Sequence, residues 1–137
     1  MNRSNVFSKD DFNTISRIIS VFTARAGFKI TLDGLLADWQ NLTHKISIGY
    51  DNNIYEYMND LSVRDLLEEL MENVSEELRN KIMELVKASD EAFYNVTVDV
   101  PKPLLAKHCS AEAFWWKRIP KILKDELEDD LKKEGII

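Results

Sequence analysis

The sequence predicts a mostly α fold: a single-domain bundle of about five to six helices, with one short extended segment near residues 94–100. Apolar residues recur at helical spacing along most of the chain. Only four glycines and three prolines interrupt its 137 residues. The length fits one domain, and an apolar content of 45% is enough for one ordinary core.

Two helices are predicted in the first third of the chain. Ser8 begins a capping box with the acid three residues later, which predicts a helix near residues 9–25. Gly27 is well placed to end that helix. Thr31 can cap a second helix, and Gly49 would stop it.

The middle of the chain predicts three more helices. Residues 53–59 fit a short helix with Ile, Tyr and Met side chains. Ser62 and Asp65 have the spacing of another capping box, so a separate helix is expected to begin there. Ser75 can cap a further helix, whose first turn carries two glutamates.

The last third combines an extended segment with a final helix. Residues 94–100 alternate and are rich in Val and Thr, and Pro101 and Pro103 bound them. A turn or short helix is expected near residues 110–114. Pro120 suits the first turn of a last helix. The apolar face of that helix would consist of Ile119, Leu123, Leu127 and Leu131.

Catalytic and metal sites have little support in the sequence. The adjacent residues His108 and Cys109 could belong to a catalytic site or to a metal site. However, neighbouring side chains point in different directions, and there is no second cysteine. Phosphate-binding glycine motifs and HExxH are absent. Structural or surface roles are therefore favoured for His108 and Cys109. An enzymatic function is less favoured than a non-enzymatic one, and no metal or cofactor is expected.

The aromatic string FWWKR at residues 114–118 could stack nucleic-acid bases. The favoured interpretation is that one or two of its rings pack beneath the helices, with the charged tips outside. A net charge of −6 argues against direct nucleic-acid binding.

The chain is expected to be cytoplasmic. Its first residues lack the continuous apolar core of a signal peptide. No run approaches the roughly 18 apolar residues that a membrane span needs.

Negative charge is concentrated in residues 51–77. These carry nine acids against one base, Arg64, whereas the remainder carries 15 acids and 17 bases. Like charges at helical spacing repel. One interpretation is a solvated helical face, with Asp65, Glu68, Glu69 and Glu72 opposite the leucines. The other is a surface that a basic partner binds, and the sequence leaves both open.

Tyrosines interleave with these acids, and tyrosine is enriched at binding hot spots. Such a surface on a small protein fits the inhibitor of a basic enzyme, above all a nuclease, which needs positive charge to hold its phosphate backbone. The candidate partner-binding residues are Tyr50, Asp51, Tyr55, Glu56, Tyr57, Asp60, Asp65, Glu68, Glu69 and Glu72.

Two segments resemble a group of small bacterial immunity proteins from toxin–immunity systems, including those of contact-dependent growth inhibition. The first contains LLADW and GYDNNIYEYMNDLSVRDLLEEL; the second is WWKRIP, followed by DELEDDL. The similarity covers residues 32–131 and leaves the helix in residues 1–30 outside it. Its most specific parts are GYD at 49–51, residues 57–67 and the WWxRxP string.

The resemblance implies a non-catalytic protein that binds and neutralises a cognate toxin in the cytosol. We therefore expect a monomer in a 1:1 complex with a basic nuclease, an RNase being favoured, whose substrate groove an acidic helical surface would occlude. The alternative is a helical scaffold or regulatory subunit without a toxin partner.

Overall fold

The computed structural model describes residues 6–101, 104 and 113–137. Within them the chain forms five α-helices and two short strands, which confirms the mostly α bundle with a short extended segment. The helices are α1 (Lys9–Ala26), α2 (Leu32–Ile48), α3 (Ile54–Glu72), α4 (Glu76–Val96) and α5 (Asp125–Lys133), and the strands are β1 (Thr97–Asp99) and β2 (Arg118–Pro120).

The predicted helix ends near the N-terminus are confirmed. Ser8 and Asp11 form the reciprocal capping box, and Gly27 ends α1 in the left-handed conformation, with φ of 79°. The Thr31 side chain accepts a hydrogen bond from a backbone N–H in the first turn of α2. Gly49 follows the last residue of α2 with φ of 109°, a conformation that favours glycine.

Helix α3 is continuous where the sequence predicted two helices. Ser62 does not cap a new helix, since its hydroxyl donates to the Asn59 carbonyl at 2.6 Å. Leu61, Arg64 and Leu67 are buried on both sides of Ser62. Their burial keeps the segment helical, and a serine inside a helix can satisfy its hydroxyl on the preceding turn.

Helix α4 extends further than the alternating pattern of residues 94–100 suggested. Ser75 caps it as predicted, with its side chain accepting from the Leu78 N–H. The helix continues to Val96, and only Thr97–Asp99 is extended. The extended segment therefore exists but is shorter than predicted.

The two strands form an antiparallel pair, with Val98 opposite Ile119. Pro120 ends β2 and does not begin the last helix, which corrects that prediction. A proline is tolerated at this strand end because the Lys121 N–H makes the next ladder bond, to the Val96 carbonyl. Of the four apolar residues predicted for the last helix, only Leu127 and Leu131 lie on α5, and both are buried.

The aromatic string at 114–118 packs inside the molecule, as favoured. Phe114–Lys117 is a 3₁₀ helix in which Trp115 and Trp116 are buried. The expectation that both charged tips lie outside is wrong for Arg118, which is buried. Its guanidinium donates to the Thr97 hydroxyl and carbonyl, both at 2.8 Å, and these bonds satisfy it at the end of the sheet.

Helix α3 is the central element of the fold. It packs against α1, α2, α4, α5 and the 3₁₀ helix. Tyr57, Leu61, Leu67 and Leu70 are fully buried along it. The most acidic part of the sequence therefore runs through the middle of the bundle. Among the described residues, no helix has both the length and the apolar character required to cross a membrane.

Gly49 allows a test of the turn between α2 and α3. A Cβ at this position would lie 2.5 Å from Lys124 Cε, and φ of 109° is strained for any other residue. We expect Gly49→Ala to lower the free energy of unfolding by about 1–3 kcal/mol, measured by urea denaturation.

Lys124→Ala provides the matched background for this test. Gly49→Ala should remain destabilising in that background, because the backbone strain persists after the clash is removed. Full recovery of stability there would show that the conformation of Gly49 contributes nothing.

Candidate partner-binding surface

Arg64, the single base of the acidic segment, points into the protein. Its side chain is 2% exposed. The guanidinium donates to both Asp90 carboxylate oxygens, each at 3.0 Å, and to Glu68 at 3.0 Å. Trp39 also donates to Asp90, at 2.9 Å. The positive charge of Arg64 is therefore neutralised within the fold and is not presented at the surface.

Asp65 is a structural acceptor and does not belong to a solvated face. The indole N–H groups of Trp115 and Trp116 both donate to its Oδ1, at 2.7 and 2.8 Å. Burial raises the pKa of the Asp65 carboxyl, while the two indole bonds oppose that rise. Asp65 thus fixes the 3₁₀ helix against α3.

Tyr50 and Tyr57 are buried, so their predicted role as contacts to a partner is corrected. Their rings pack edge to face, 5.2 Å apart. The Tyr50 hydroxyl donates to Asp60 at 2.6 Å, and the Tyr57 hydroxyl donates to the Arg118 carbonyl at 2.8 Å. Burial raises the pKa of both hydroxyls. Tyr57 lies three residues after Ile54, and this helical spacing of apolar residues could have identified it as core.

Glu68 and Glu69 are half-buried and each pairs with an arginine. Glu68 accepts from Arg64 one turn earlier, and Glu69 accepts from Arg25 of α1 at 2.9 Å. Together with Asp60 and Asp65, they are carboxylates of the acidic segment that already have partners within the protein. Of the four acids predicted to lie opposite the leucines, Asp65, Glu68 and Glu69 therefore have partners within the protein.

Four of the ten predicted partner-binding residues are exposed. These are Asp51, Tyr55, Glu56 and Glu72. Tyr55 is 70% exposed and lies beside Glu56, near the start of α3. Glu72 ends α3, about 25 Å away at the usual helical rise. Asp51, Tyr55 and Glu56 thus lie close in sequence at or just before the start of α3, and Glu72 lies at its other end.

Helix α5 contributes an acidic contact that the sequence did not indicate. The Asp130 carboxylate accepts from the Ile54 N–H at 3.1 Å, at the positive end of the α3 dipole. Asn53 caps the same end by accepting from the Glu56 N–H. An acid 76 residues further along the chain gives no local signal for such a contact.

The residues considered for a metal or catalytic site lie mostly outside the described part of the chain. Across residues 6–101, 104 and 113–137, no three His, Cys, Asp or Glu side chains are grouped so that they could hold a metal ion. His44 is exposed on α2. His108, Cys109 and most of the turn predicted near residues 110–114 lie outside the described residues.

Comparisons with protein-family models, with curated proteins and with solved structures found no match to this chain.

The Arg64–Asp90 pair can be tested against Arg118–Asp99, a pair of the same residue types whose acid is exposed. Asp90→Asn removes the charge that neutralises a buried guanidinium, so the free energy of unfolding should fall by about 2–3 kcal/mol. Asp99 pairs with Arg118 but its side chain is 82% exposed, and Asp99→Asn should cost less than about 1 kcal/mol. Equal losses in urea denaturation would contradict the central role of the buried pair.

Asp65 gives a prediction for pH dependence. Because burial raises its pKa above the ordinary 3.8, the folded state holds this proton more tightly than the unfolded state does. The resulting stability is complete below 3.8 and is lost as pH rises through the folded pKa. The free energy of unfolding of the wild type, minus that of Asp65→Asn, should therefore fall as the pH rises above 3.8, until Asp65 is ionised in both states. A difference that rises with pH would contradict the assignment.

Proposed function

We propose that this chain is an immunity protein that binds a cognate basic toxin, a nuclease above all and an RNase by preference, and blocks access to the toxin's substrate groove. The proposal joins the resemblance of residues 32–131 to bacterial immunity proteins with the charge on the exterior of residues 51–77. In it the protein acts by binding alone, as a monomer in a 1:1 complex.

The inward orientation of Arg64 is the observation that carries the proposal. Because that guanidinium is buried, residues 51–77 expose carboxylates without an exposed base of their own. Asp51, Glu56 and Glu72 make no ion pair with any described residue. Carboxylates in this state can pair with Lys and Arg on a partner without first breaking a bond within the protein.

A nuclease supplies the complementary surface. Its active site must be basic because it holds a phosphate backbone. Carboxylates placed over those bases would occupy the positions of the substrate phosphates, and electrostatic attraction would accelerate the encounter. Tyr55 adds an exposed aromatic ring beside Glu56, and tyrosine is a frequent anchor in protein interfaces.

A helical scaffold or regulatory subunit remains the second candidate. It is favoured by the internal use of Asp60, Asp65, Glu68 and Glu69, whose bonds stabilise the fold without any partner. In that case the exposed acids would serve solubility alone, and neutralising them would change no binding.

Growth rescue and co-purification test the proposal directly. The chain would be co-expressed with the C-terminal region of the protein encoded immediately upstream. Rescue of growth together with a stable, salt-sensitive complex would support immunity. A lack of both would return the chain to the scaffold class.

Charge neutralisation tests which carboxylates contact the toxin. Asp51→Asn, Glu56→Gln and Glu72→Gln together should slow association and weaken the complex about tenfold at low salt, because exposed charges mainly accelerate encounter. Isothermal titration and stopped-flow mixing measure both effects. The loss should shrink as salt screens the charges.

The matched control removes the same charge elsewhere. Glu84, Glu91 and Asp129 are exposed on α4 and α5. Glu84→Gln, Glu91→Gln and Asp129→Asn together should change affinity by less than about threefold, through net charge alone. If both triple variants bind alike, the surface proposed here is the wrong one.

A further inference from the structure

Glu68 and Glu69 are adjacent carboxylates of α3 whose arginine partners differ. The two glutamates are 39% and 40% exposed, and their ion pairs measure 3.0 and 2.9 Å. Arg64, the partner of Glu68, is 2% exposed and is also held by both oxygens of Asp90. Arg25, the partner of Glu69, is 54% exposed in the last turn of α1. Only Arg25 can therefore leave its glutamate without disturbing a buried network.

The contact between Arg25 and Glu69 joins one nitrogen to one oxygen. Arg25 Nη2 donates to Glu69 Oε2 at 2.9 Å. Among the described residues no other group donates to this carboxylate, so its second oxygen is open to a donor from outside. Exposed pairs contribute little to stability, and a single bond holds two groups less firmly than a bidentate pair does. A base that reaches Glu69 from a partner can therefore displace Arg25 at low cost.

Arg25 has a second contact that does not depend on Glu69. Its guanidinium carbon lies 5.1 Å from the centre of the Phe22 ring, which is within the range of a cation–π interaction. Phe22 is buried and belongs to the same helix, so the ring stays in place when the ion pair opens. The exposed guanidinium donates to water in that state. Release of Glu69 thus leaves no buried charge without a partner.

Release of Glu69 also forms a pair of neighbouring carboxylates at the C-terminal end of α3. Glu72 follows Glu69 by three residues, a spacing that places two side chains on the same face of a helix. Glu72 is exposed and makes no ion pair with any described residue. Like charges at this spacing repel, so a cation close to both is favoured. Arg25 is that cation in the free protein.

We infer that Arg25 is an internal substitute for a base of the toxin: it occupies Glu69 in the free protein, and a Lys or Arg of the toxin displaces it when the complex forms. The inference rests on the proposed function and deepens it, because it returns Glu69 to the toxin-binding surface beside Glu72. It also gives a role to α1, which lies outside the segments that resemble immunity proteins. Because the toxin must compete with Arg25, positive charge alone gains little here, and a base held in place by a complementary surface is favoured.

Arg25→Gln removes the internal competitor. The partner in this test is the purified C-terminal region of the protein encoded immediately upstream. The dissociation constant should fall about threefold at low salt, because a base of the toxin no longer has to displace an arginine. Arg17 is exposed on the same helix and makes no ion pair with any described residue. Arg17→Gln is therefore the control for net charge and should change the constant less than about 1.5-fold.

Glu69→Gln completes a double-mutant cycle. The gain from Arg25→Gln should vanish in the Glu69→Gln background, because the carboxylate for which the two bases compete is then absent. In the Arg25→Gln background, Glu69→Gln should raise the dissociation constant at least about threefold. Glu68→Gln in that background removes the same charge one residue away and should raise it less than about 1.5-fold. Thermal unfolding of each free variant shows that it is folded.

NMR of the wild-type protein follows the exchange without any substitution. When the toxin region binds, the guanidinium signals of Arg25 should move to the positions that they have in free Glu69→Gln. Unchanged signals in the complex, or an Arg25→Gln variant that binds no more tightly than Arg17→Gln, would overturn the exchange while leaving the immunity function in place. If the wild type forms no complex, the proposed function fails, and this inference fails with it.

Discussion

The burial of Arg64 is the constraint on which the rest of the structure depends. A guanidinium with 2% exposure is tolerated only when its charge and its donors are satisfied, and Asp90 meets that need with both carboxylate oxygens. Trp39 shares the same carboxylate, and the Trp115 ring lies 4.5 Å from the guanidinium carbon. Four elements, α2, α3, α4 and the 3₁₀ helix, therefore meet at this cation.

Other buried polar groups also fix neighbouring elements to α3. Asp65 accepts two indole N–H groups and holds the 3₁₀ helix to α3. The Arg118 guanidinium donates to the Thr97 hydroxyl, and the Arg118 backbone carbonyl accepts from the Tyr57 hydroxyl. These bonds fix the strand pair to α3. Polar side chains that the sequence placed at the surface thus form hydrogen bonds that orient the helices. Such networks specify one arrangement when each member is satisfied.

Most local signals predict the structure correctly, whereas contacts between distant parts of the chain leave no such signal. The caps at Ser8, Thr31 and Ser75 depend on neighbouring residues, and each was predicted. The capping pattern at Ser62 is also local, but burial of the surrounding turns outweighs it. Asp65 was expected at the surface, either solvated or in contact with a partner, because the indoles that bond to it lie 50 and 51 residues away. The candidate surface was therefore predicted in composition but only partly in position.

The negative charge on the exterior of residues 51–77 is a consequence of the burial of Arg64. Because the one base of this segment points inward, only carboxylates of the segment carry charge at its surface. The most direct test of this claim is the exchange rate of the Arg64 Nε–H, followed by NMR and compared with that of Arg25. Arg25 pairs with Glu69 but remains 54% exposed. The structure predicts that the Arg64 Nε–H exchanges far more slowly than that of Arg25, at a rate approaching that of buried backbone amides. Equally fast exchange at both arginines would contradict the account.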